Sequence, residues 1–134
     1  MLRKTALPMA IFLSFISLAG AQELNISINS PLDKAKVTGR PAIEGTVSDP
    51  RAIVAVIVHP MEVGDYWVQQ NVTVKKSGAW KVLINIGRPG TIDVGKHFEI
   101  MAVAKPKTLL REGAVLSGWP EAQATSEVVE VTRK

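Results

Sequence analysis

The sequence predicts an all-β protein: a seven-stranded antiparallel sandwich with one long, partly apolar loop before its last strand. Three observations carry this reading. Short runs alternate apolar and polar residues with a period of two. Clusters of Gly, Pro, Asp and Ser separate those runs at regular spacing. Beyond the N-terminal segment, no stretch repeats apolar positions at helical intervals long enough to build a helical domain.

The elements follow in order. "MLRK" supplies Arg3 and Lys4, and the uncharged run "ALPMAIFLSFISLAG" follows. Ala19-Gly20-Ala21 closes it with an A-x-A pattern of small residues. Residues 1–21 thus read as a secretory signal peptide, and 22–134 as a single domain. The apolar run falls short of the ~20 residues that a spanning helix needs, so no membrane span is expected after cleavage.

"LNISIN" alternates Leu24, Ile26 and Ile28. "AIEGTVS" places Ile43, Gly45 and Val47 together. "AIVAVIV" (52–58) is continuously apolar and branched, as a central strand buried on both faces should be. "DYWVQQNVTV" (65–74) alternates Tyr66, Val68, Gln70, Val72 and Val74 against Trp67, Gln69, Asn71 and Thr73. "AWKVLINI" puts Trp80 in the core with Val82, Ile84 and Ile86. "HFEIMAVA" aligns Phe98, Ile100, Ala102 and Ala104, and "SEVVEVT" is the last strand. "SPLDK", "SDPR", "KKSGAW", "GRPGT" and "DVGK" are turn-forming clusters, with Ser77-Gly78 marking a tight hairpin.

One segment breaks the rhythm. "KPKTLLREGAVLSGWPEAQAT" (105–125) is long for a hairpin connection, where about 2–5 residues are usual. It carries Leu109, Leu110, Val115, Leu116 and Trp119. A loop of that content is expected to fold back on the sandwich, with one helical turn near Thr108–Arg111.

Composition narrows the function. Two of the sixteen basic residues belong to the leader, which leaves fourteen against twelve acidic ones and a net charge of +2. The cations are scattered rather than striped, so nucleic-acid binding is not expected. With no cysteine, stability must come from packing, and thiol chemistry is excluded. Zero cysteines in an exported chain also point to a bacterial source.

At this point the residues resemble a known family. "SPLDKAKVTGRPAIEGTVSD" is similar to the opening of bacterial immunoglobulin-like modules. "KKSGAWKVLI" resembles their G-x-W hairpin, and "GKHFEIMAVA" resembles the strand that follows. The resemblance implies an immunoglobulin-like, or fibronectin-III-like, extracytoplasmic sandwich. Such modules serve as spacers, adhesin units and accessory domains. Where many of them carry D-x-x-G-N, this chain has "AKPKTLL", so calcium binding is not carried over.

No nucleophile elbow, zinc-binding H-E-x-x-H or phosphate loop occurs, and no catalytic residue, metal site or cofactor is expected. A His59–His97 pair with Glu62 or Asp65 is the one metal arrangement to weigh. Its bland counterpart is a pair of strand-end histidines. Trp67, Gln69 and Asn71 lie at i, i+2 and i+4, so a strand would hold an indole and two amides on one face. That face is either a ligand platform, with Trp119 as a further anchor, or the seat of the long loop. The expectation is an exported, non-catalytic binding or structural module in the periplasm or outside the cell, docking an unidentified protein partner. The alternative is a carbohydrate-binding module that uses the Trp/Gln/Asn face on a cell-surface glycan.

Overall fold

The computed structural model describes residues 23–134, so the expected leader lies outside the described residues. The described chain is all-β, with eleven strands and no helix. The strands are β1 (Ile26–Ser30), β2 (Ala35–Val37), β3 (Ala42–Val47), β4 (Val54–Pro60), β5 (Tyr66–Val68), β6 (Thr73–Val74), β7 (Ala79–Leu83), β8 (His97–Pro106), β9 (Val115–Leu116), β10 (Ala122–Thr125) and β11 (Val129–Arg133).

They form two open sheets. The smaller has the order β1-β3-β7-β6 and is antiparallel throughout. The larger runs β2-β11-β8-β4-β5-β9, with β10 also on β8, and it is mixed, because β2 and β11 pair in parallel. The purely antiparallel expectation is corrected at that pair. Six of the seven expected runs each hold one strand; the run 65–74 is split into β5 and β6, and short strands at β2, β9 and β10 raise the count further.

The period-two pattern places the core. Val54, Val56, Val58, Phe98, Ile100 and Ala102 of the larger sheet meet Ile43, Trp80 and Val82 of the smaller, with Ile84 just past the end of β7. Trp80 lies over Gly45, where a Cβ would come within 2.3 Å of the indole, so only glycine fits beneath the ring. Gly78, at φ +91°, makes the turn from β6 into β7. Ile57 on β4 and Val103 on β8 are also fully buried, yet they face away from this core. Strand β4 is therefore covered on both sides.

What covers the second side is the long segment after β8. It crosses to the far edge of the sheet, where β9 pairs with β5, and then returns to pair as β10 with β8. The return limb, 117–121, lays Trp119 on Tyr66 and His59. The expected helical turn at Thr108–Arg111 is absent: the apolar residues satisfy themselves as an added edge strand and a folded-back limb. Strand β8 is flanked first by β11 and then by β10. Ser126 stitches the join, its backbone N–H donating to Ala102 O and its Oγ accepting from Ala102 N–H.

Candidate binding cleft

The site grows out of "DYWVQQNVTV". The pattern predicts one strand, but the chain uses two. Residues 66–68 belong to the larger sheet and residues 73–74 to the smaller, so the segment between them crosses the open side of the sandwich. Trp67 pairs with Val58 and with Val115, and its side chain shares their face. Val58 is in the core. Trp67 thus points between the sheets, while Tyr66 and Val68 point outward under the long loop. At β5 the expected faces are exchanged, whereas Val72 and Val74 pack against the core as expected.

At this edge the larger sheet is wider than the smaller. Strand β6 covers β7 only opposite Lys81 and Trp80. Beyond it the overhang leaves a cleft of about 830 Å³, with Val58 and Phe98 at its floor and Trp67, Leu83 and Asn85 on its walls. Trp67 is 41% exposed and Leu83 45%; Val115, beside Trp67 on β9, is 47% exposed. The long loop therefore does not cover Trp67.

Two glutamines finish the edge of β7 where β6 stops. Gln69 is buried; its Oε1 accepts from Asn85 N–H at 2.8 Å, and its Nε2 donates to Trp67 O. Gln70 Nε2 donates to Leu83 O. Their amides stand in for a neighbouring strand, leaving fewer backbone groups unpaired.

The far end of the cleft is a fixed charge network. Arg88 donates from its backbone N–H and Nε to Asp93 Oδ2, and from Nη2 to Oδ1. Lys96 Nζ lies 3.2 Å from Asp93 Oδ1 and 3.5 Å from Glu62. The Arg88 guanidinium, then its backbone N–H and Lys96, hold the Asp93 carboxyl well below the usual carboxylate range. Asp93 in turn raises Arg88 and Lys96 above their ordinary values. Arg133, only 6% exposed, plugs the sandwich beside this network, donating to the carbonyls of Ile86, Arg88 and Gly90.

The opposite face of β5 is sealed. Tyr66 stacks on His59 at 4.0 Å, and Trp119 meets Tyr66 edge-on at 4.8 Å. His59 Nε2 donates to Val63 O, and its Nδ1 lies 2.9 Å from Glu99 Oε1. His97 meets a different carboxylate, Glu130. Among the described residues no group of three or more His, Asp or Glu is placed to hold a metal ion.

The sequence-predicted residues therefore divide. Trp67 and Gln69 both line the cleft, but the Gln69 amide is spent inside the protein. Asn71 lies past the end of β5, off the Trp67 row, with its backbone N–H donating to Glu112 Oε1. Trp119 is on the other side of the sheet. Sequence reading missed Leu83, Asn85, Arg40 and Glu112. The one signal available was Leu83, an apolar residue at an outward position of the alternating "AWKVLINI" run. No family model and no curated protein sequence matches the chain.

Proposed function

We propose that the protein is an exported, immunoglobulin-like, non-catalytic module that docks a protein partner through the cleft beside Trp67. The sheet orders support the fold reading. In immunoglobulin domains the first, second, fifth and fourth strands share one sheet, and the third, sixth and seventh share the other. The order β1-β3-β7-β6 against β11-β8-β4 follows that arrangement, with β5 next to β4 and β2 parallel to β11. The bacterial origin and export rest on the sequence, as does the periplasmic or extracellular location.

The observation that carries docking is the pair Trp67 and Leu83, two large apolar side chains left open in one cleft, with the exposed Val115 beside Trp67 on β9. A contiguous exposed apolar patch marks an interaction site, and tryptophan is enriched among binding hot spots. A cell-surface glycan is the second reading, favoured by the open indole of Trp67 with the Asn85 amide in the same cleft. It is weaker because both ends of the Gln69 amide are engaged within the protein.

Photo-crosslinking tests the docking reading. A benzophenone side chain at Leu83 or Val115, in cells of the source, is expected to give a discrete adduct with a second protein. Trp67→Ala should abolish that adduct while urea unfolding stays cooperative. Adducts no more frequent than from a probe at Glu44, on the outward face of β3, would overturn it.

A further inference from the structure

The charges around Trp67 are not balanced. Several cations line the cleft, but two of those on the walls facing Trp67 are held by carboxylates. Arg88 and Lys96 are held on Asp93, and Lys96 also reaches Glu62. Arg40 donates from Nη1 only to a neutral group, Asn85 Oδ1 at 2.7 Å, so among the described residues it is the one lining cation there whose charge is not met by a carboxylate. On the Trp67 side the lining carboxylates are Asp65 and Glu112, both exposed. Among the described residues neither has a cationic partner. Asp65 makes no side-chain hydrogen bond there, and Glu112 accepts only from the Asn71 backbone N–H.

Their placement follows from the backbone. Asp65 is two residues before Trp67 in a chain entering an extended strand, so it leans to the same face. Glu112 lies beyond the other end of that strand, because Gly113 N–H donates to Val68 O. An open indole thus stands between two carboxylates that lack counter-ions. A guanidinium or ammonium over an indole is attracted by the ring quadrupole, and more so when a carboxylate receives its N–H groups. Leu83 and Val115 would take the aliphatic stem or an apolar neighbour of that cation.

Resting on the docking reading above, we propose that the Trp67 side of the cleft receives an arginine or lysine side chain from an extended segment of the partner protein. The occupant is a basic–apolar stretch of polypeptide. Arg40, on the facing wall, would meet that segment's carbonyl oxygens.

The test uses the 15N-labelled chain, as processed by its host, and three acetylated, amidated pentapeptides. One alternates valine with arginine; the others replace arginine by glutamine or glutamate. The arginine peptide is expected to shift the Trp67 indole N–H and the amides of Asp65 and Gly113, saturably. It should bind at least about tenfold more tightly than the glutamine peptide, and Asp65→Asn or Glu112→Gln should each reduce that preference about threefold. Added salt should reduce it further. Both substitutions keep the shape and lie at exposed positions, and an amide at residue 112 still accepts from Asn71, so the fold is retained. If the glutamine peptide binds at the cleft as tightly as the arginine one, or the glutamate peptide more tightly, the basic preference falls while docking stands. If no peptide shifts the indole, the inference is overturned, and the crosslinking result decides the docking reading separately. If only a neutral oligosaccharide of N-acetylglucosamine shifts it, both readings fall.

Discussion

Tyr66 and Trp67 are neighbours on one three-residue strand, and they meet opposite fates. Tyr66 turns to a face that the rest of the chain has closed, with His59 stacked on one side and Trp119 at its edge. Trp67 turns toward the inside of the sandwich and is the more open of the two, because the smaller sheet ends before it reaches that ring. Direction along a strand therefore does not fix burial. What fixes it is whether another segment arrives to cover the face. The long loop seats its tryptophan on Tyr66, on the side of the sheet that also carries the buried Ile57 and Val103.

The largest effect should come from unsealing the closed face. Trp119→Ala is expected to cost about 2–3 kcal/mol of stability, and Trp67→Ala less than about 1 kcal/mol, since the first ring packs on two others while the second stays 41% exposed. Urea midpoints at unchanged slope measure both. Equal losses would break the contrast between the two faces.

A smaller effect should separate the two glutamines. Gln69→Ala removes the buried acceptor of the Asn85 N–H and should cost about 1–2 kcal/mol. Gln70→Ala serves a solvent-reachable carbonyl and should cost less than about 0.5 kcal/mol. Native-state hydrogen exchange adds a direct sign: the Asn85 amide should exchange faster in the first variant and unchanged in the second.

The last effect appears only in acid. Asp93 is held low in the folded protein, whereas an unfolded aspartate titrates near ~3.9. Above that value the ion pair contributes fully. As pH falls below it, the unfolded chain takes up a proton that the folded one resists, and stability is lost. Asp93→Asn should therefore flatten the fall in urea midpoint between about pH 5 and 2.5, at the cost of a lower plateau near neutrality. A remaining slope is expected from Asp49, which the Arg51 backbone N–H also holds low. Parallel curves for the two proteins would show that the charged wall of the cleft contributes nothing specific.

Much of the fold was legible because period-two alternation is a local property. It placed Trp80 in the core and marked β3, β7 and β8, and an unbroken branched run marked β4 as covered on both faces. The alternation in 65–74 misled for the same reason. It continues smoothly through a segment that changes sheets, since a pattern of faces does not say which partner each half will find. Two- and three-residue strands such as β2 and β9 carry too few residues to show a period at all. The site was legible only as Trp67 and Gln69. Leu83, Asn85, Arg40 and Glu112 come from three other segments, and only the fold brings them to that edge.

The glutamine closure of β7 bears on selectivity. A strand edge with free amides and carbonyls accepts almost any extended chain, because every residue offers the same backbone groups. Here Leu83 O and Asn85 N–H are already engaged by Gln70 and Gln69. A chain entering beside them gains little from its backbone and must be judged by its side chains. On the docking proposal, such a surface would discriminate among visitors and tolerate little drift in their sequence. By the same closure, this one edge is kept from adhering to unfolded chains.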